Sequence, residues 1–130
     1  MVSIATNTIE GTWLPFKAEL AGDQAPEMAL AKMCLVISAG IYAVHFGNEV
    51  TDSGRYTLSL EAEIHTITLN SERGANAGQT IPSIYQLVGD RLRVCFGLDG
   101  TTPKSFAAPV GTRSYLVCYR RKPGQNQQPS

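Results

Sequence analysis

The sequence predicts an all-β fold, an antiparallel meander of about eight strands closed into a barrel, with one short helix after the first strand. Three observations predict it. Apolar-alternating runs recur along the chain, turn residues separate nearly all of them closely, and residues 78–121 contain a β-hairpin. In that hairpin Gly89-Asp90 sits between two alternating runs, the signature of a two-residue turn with positive φ. Such a turn sets the register, so that Leu87 faces Leu92, and Tyr85 faces Val94. Those four share one face by the period-two alternation of a strand. Val88 and Arg91, Gln86 and Arg93, and Ile84 and Cys95 fall on the other.

The remaining elements follow in order. Residues 11–20 read as a first strand, in which Pro15 points to an edge position or a bulge. Gly22-Asp23 ends it. Asp23 is placed to cap a short helix over residues 26–32, where Glu27, Met28, Ala29, Leu30 and Ala31 are strong helix formers. Residues 33–38 form a continuous apolar run, a buried strand that Ala39-Gly40 turns. Residues 41–46 alternate, with Tyr42, Val44 and Phe46 on one face. Gly47-Asn48 and Asp52-Ser53-Gly54 carry turn chemistry. Residues 55–60 place Tyr56, Leu58 and Leu60 inward, and Glu61-Ala62-Glu63 breaks the strand. Residues 64–69 are β-branched, with His65, Ile67 and Leu69 inward. Residues 70–78 read as a polar loop and 97–111 as a second long loop. Residues 114–121 form the last strand. The domain spans residues 9–121, between an N-terminal arm (1–8) and a Pro/Gln/Asn-rich tail (122–130) expected to be disordered. A meander of this size closes into a barrel that is filled with side chains or holds one small ligand.

Composition narrows the function classes. A chain of 130 residues suits one domain, and 43% hydrophobic residues suffice for its core. Lys+Arg equals Asp+Glu, 11 each, so the basic excess of a nucleic-acid surface or a polybasic membrane anchor is missing. No apolar run nears the ~20 residues of a membrane helix. The first eight residues lack a charged segment and an apolar segment of secretory type, so a cytoplasmic location is expected. Cys34, Cys95 and Cys118 make an odd count without metal spacing, so reduced thiols are expected.

Gly11-Thr12-Trp13, Gly54-Arg55-Tyr56, the hairpin from Ile84 to Cys95 and Pro103-Lys104-Ser105-Phe106 together resemble the bacterial, planctomycete-type lipocalin-like domain family. The resemblance covers roughly residues 9–121, and the hairpin is its specific part. The chain departs from the family pattern at Thr102-Pro103, usually Arg-Pro, and at His65, in a segment usually more acidic. By analogy with lipocalins, Trp13 closes one end of the barrel, with Arg120 or Arg121 laid over its ring. That role is structural.

Candidate site residues are few. Tyr42, Tyr56, Tyr85 and Tyr115, with His65, combine inward positions with polar groups, as a small-molecule pocket does. The alternative is that they fill a dry core. Two histidines, His45 and His65, on separate strands make neither a metal set nor a catalytic triad, so no catalytic residue, metal or cofactor is assigned. Arg93 and Gln86 read as an exposed cross-strand pair; with the facing inverted, Arg93, Gln86 and Cys95 would line the cavity and could hold an anion. The leading expectation is a non-catalytic module that binds a small, largely apolar ligand in the barrel. Its alternatives are a filled barrel that serves as an interaction or structural module, with a protein partner or a homodimer, and a cyclase- or isomerase-type enzyme.

Overall fold

Turns, several of only two residues, organise the chain into neighbouring antiparallel pairs. The computed structural model describes residues 8–60 and 63–123. The arm up to residue 7, the tail from residue 124 and the Glu61-Ala62 part of the strand break lie outside the described residues. The elements are β1 (Gly11–Leu20), β2 (Asp23–Gln24), α1 (Glu27–Leu30), β3 (Met33–Ser38), β4 (Ile41–Phe46), β5 (Glu49–Ser59), β6 (His65–Gly74), β7 (Thr80–Val88), β8 (Arg91–Gly97) and β9 (Ser114–Arg121). Every strand pairing is antiparallel, in the order β1-β3-β4-β5-β6-β7-β8-β9, and β9 returns to β1. The sheet is therefore a closed meander of eight strands, with β2 a two-residue addition to β1. Closure removes the unpaired strand edges that an open sheet would expose.

The hairpin has the register its turn dictates: Leu87 pairs with Leu92 and Tyr85 with Val94. Leu92, Val94 and Tyr85 are buried in the core with Trp13, Leu35, Ile37, Tyr42, Ile67 and Val117. Gln86, Arg93 and Cys95 face outward, so the inverted facing is incorrect. The Arg93 Nε donates to Gln86 Oε1 at 2.8 Å, and its guanidinium lies 4.0 Å over the Phe106 ring. The loop between β8 and β9 covers the outer face here, which explains why the outward Cys95 is buried.

Four local expectations need correction. Asp23 does not cap the helix: Asp23 and Gln24 pair with β1, and the helix starts after Pro26 without a side-chain cap. That helix is a single turn, Glu27–Leu30, shorter than residues 26–32. Asp52-Ser53-Gly54 is not a turn but the middle of β5, and residues 70–74 are not loop but the end of β6. The reason is a β-bulge, where Ser53 pairs with Arg73 and Gly54 with Ser71, leaving Glu72 as the extra residue. Gly54 is required there, because a Cβ on it would collide with the Asn70 carbonyl oxygen.

Pro15 marks a bulge as well. The β1–β9 register shifts between Pro15 and Lys17, and Phe16 is the residue left over. Its ring stands on the outside, beneath Arg91 (5.9 Å) and Arg120 (4.7 Å). Those two arginines are direct cross-strand partners, and the ring gives both like charges a shared favourable contact.

Candidate functional site

The interior is filled. The enclosed space between the two ends measures about 20 Å³, bounded by residues such as Leu35, Ile37, Tyr42, Ile67, Leu69 and Val94. That is room for about one water and no organic ligand. Eight strands leave an interior just wide enough for side chains, and here aromatic and branched residues occupy it. Room inside the barrel therefore lies at its ends, and a further groove of about 230 Å³ lies outside the wall beside Phe16, Gln86, Arg91 and Arg93.

One end is strapped shut. Trp13 is fully buried, and its Nε1 donates to the Ile9 carbonyl at 2.8 Å. The Arg121 guanidinium lies 4.4 Å over the Trp13 ring. It also donates to the Glu10 and Thr8 carbonyls at 2.8 and 3.1 Å and to the Asp90 carboxylate at 3.0 Å. The Glu10 carboxylate accepts from the Ala39 backbone N–H at 3.1 Å. Of the two arginines expected near the indole, Arg121 is the one on the ring, and Arg120 points outward to Phe16. Strand alternation explains the split, since adjacent residues face opposite sides of the wall. Beside this strap is a basin of about 400 Å³ that contains Tyr56, His65 and Tyr85, rimmed by Leu58, Leu60 and Glu10. The His65 and Tyr85 rings are 5.7 Å apart. Burial raises the Tyr56 and Tyr85 phenols above their ordinary value.

The opposite end holds a pocket of about 230 Å³. Its walls are Met33, Val44, Leu69, Ile81, Phe96, Leu98 and Tyr115, and its one charged residue is Asp52. Asp52 points inward because it shares the face of Val44, its partner across β4 and β5. Three neutral donors hold the carboxylate. Tyr42 Oη and Ser71 Oγ donate to Oδ1 at 3.2 and 2.6 Å, and Asn76 Nδ2 donates to Oδ2 at 3.2 Å. Strand alternation turns Asp52 inward with Gly54 and Tyr56 on β5, and Ser71 inward with Ile67 and Leu69 on β6, while Asn76 comes from the β6–β7 turn. Tyr42 is buried beneath the carboxylate. Burial first, and the Asp52 negative charge after it, push its phenol up to about 12, so it remains a donor at neutral pH. No Lys, Arg or His among the described residues pairs with the Asp52 carboxylate.

The five residues singled out from the sequence thus divide. Tyr56, His65 and Tyr85 meet at the strapped end; Tyr115 lines the Asp52 pocket; Tyr42 lies between, with its hydroxyl on Asp52. Asp52, Ser71 and Asn76 were missed because Asp-Ser-Gly and a run of small polar residues carry the chemistry of turns. The usable signal was the inward phase that Tyr56 and Leu58 give β5, extended back through Gly54 to Asp52. Among the described residues, no group of three or more His, Cys, Asp or Glu side chains could hold a metal ion, and no helix is long and apolar enough to cross a membrane. Burial raises the Cys34 and Cys95 thiols, which argues against reactive thiolates there. No protein-family model, curated protein or solved structure matches the chain.

Proposed function

We propose that this barrel is a non-catalytic, lipocalin-like module that binds a small, largely apolar ligand at its Asp52 end. One observation carries the reading: an apolar pocket at the unstrapped end contains a single carboxylate, fixed by three hydrogen bonds. Apolar walls with a few placed polar groups are what a small-molecule site requires. The filled interior limits the ligand to the end pocket and to a size below that of most drug-like molecules. The basin beside Trp13 is a weaker candidate, because Thr8, Ile9 and Glu10 on its rim are tied into the closure of that end.

The same filled interior favours a second reading, a structural or interaction module that holds no ligand. The native mass of the purified protein separates the two. An excess over the chain mass that disappears on denaturation supports ligand binding. Leu98→Trp, which fills the Asp52 pocket, should remove that excess, and Leu60→Trp at the opposite end should leave it. A bare chain mass, or loss of the excess with Leu60→Trp alone, would overturn the proposal.

A further inference from the structure

We propose that the ligand of the Asp52 pocket is an amine, with its ammonium group on the Asp52 carboxylate and its apolar body against the pocket walls; this rests on the ligand-binding reading of that end. The charge balance of the pocket leads to it. The three groups that hold Asp52 are neutral, so they orient the carboxylate without cancelling its charge. Among the described residues no cation pairs with it. Asp52 is half-buried against apolar walls, where an opposite charge would be the strongest partner for its carboxylate.

The valences of the carboxylate also leave a place for one. An ionised carboxylate offers about four acceptor positions, and three are used. Two of the three converge on Oδ1, and Oδ2 accepts only from Asn76. Oδ2 thus keeps an acceptor position for an incoming N–H. The walls add to the same preference. Phe96, Tyr115 and Tyr119 line the pocket, and aromatic faces attract cations. The Tyr115 and Tyr119 hydroxyls have no hydrogen-bond partner among the described residues, so their oxygens can accept from a three-donor ammonium. An anion would meet the carboxylate and these ring faces with no compensating cation. A metal ion would find one carboxylate where it needs several ligands.

The test uses three probes that share one body and differ in head group: 2-phenylethylamine, 2-phenylethanol and phenylacetate, titrated into the full chain by calorimetry at neutral pH. The amine is expected to bind about ten-fold or more tightly than the alcohol, as a charge-assisted hydrogen bond exceeds a neutral one, and phenylacetate is expected not to bind. Asp52→Asn should bring the amine down to the affinity of the alcohol and leave the alcohol unchanged. Should Asp52→Asn fail to fold, the ranking of the three probes on the unaltered chain decides. Equal binding of amine and alcohol would overturn the amine assignment and leave the ligand-binding reading standing. Failure of all three probes to bind would overturn both. Tight amine binding that Asp52→Asn does not alter would place the cation elsewhere and also overturn the assignment.

Discussion

Arg121 joins Trp13, Thr8, Glu10 and Asp90 through one side chain. Its side chain is only 7% exposed, while its partner Asp90 is 77% exposed. The ion pair therefore contributes little, as exposed pairs do, and the value of Arg121 lies in the Trp13 ring and the two backbone carbonyls it satisfies. Arg121→Ala removes a desolvated cation–π contact and leaves the Thr8 and Glu10 carbonyls without that donor. The expected loss is about 3 kcal/mol in urea denaturation. Arg121→Lys keeps the charge but not the planar fork, and should lose roughly half as much. A midpoint for Arg121→Ala that matches the unaltered chain would remove this residue from the account of the strapped end. An Arg over Trp13 was legible in the sequence only through the family resemblance. The choice of Arg121 over Arg120 follows from strand phase once Trp13 is known to face inward. Asp52 was not legible, because a carboxylate between a Thr and a Ser-Gly pair belongs as readily to a turn as to a strand.

At the scale of elements, strand phase brings Asp52 and Ser71 inward, and bulges at Thr51 and Glu72 end that phase just beyond them. Strand alternation alone made the 84–95 hairpin readable, since both its strands keep period two without interruption and its turn has two residues. Residues 52–54 and 70–74 were unreadable for the opposite reason. Bulges leave Thr51 and Glu72 as extra residues beside these stretches, so the alternation breaks there, and with a glycine where backbones approach those features imitate a turn. The long β8–β9 loop was readable as a loop, but its packing over Cys95 was not, because loop coverage leaves no periodic pattern. The bulge makes a sharp prediction. In Gly54→Ala the new methyl group meets the Asn70 carbonyl, which is backbone and cannot rotate away. The strands must separate, at a cost of about 3 kcal/mol. Thr57→Ala, an exposed change on the same strand, should stay within about 0.5 kcal/mol of the unaltered chain. Equal denaturation midpoints for the two variants would contradict the close approach of β5 and β6. Because Gly54 pairs with Ser71, whose hydroxyl holds Asp52, separating the strands in Gly54→Ala should also weaken amine binding.

The molecule as a whole spends its aromatic hydroxyls on burial, and this ties its stability to pH at the alkaline end. All five tyrosines have phenols raised by desolvation above the ordinary value of 10.0. Tyr42 rises to about 12, and Tyr119, which is buried, also rises strongly. Below pH 10 the phenols are protonated in both the folded and the unfolded chain, so they do not distinguish the two states and stability from this source is intact. Above pH 10 the unfolded chain releases phenolic protons that the folded chain still holds. The folded state then binds more protons than the unfolded one, and stability falls as pH rises. For Tyr42 the loss runs from pH 10 to about 12. Phenolate absorption in the ultraviolet should accordingly lag behind that of the urea-unfolded chain across this window. Tyr42→Phe removes one of the raised groups. It should be less stable than the unaltered chain at neutral pH, because Asp52 loses a donor, and the gap should narrow as pH climbs through 10 to 12. A gap that stays constant, or folded and unfolded phenolate curves that coincide, would mean that Tyr42 is not held protonated beneath Asp52. The carboxylate would then lack one of the three donors that fix it toward the pocket.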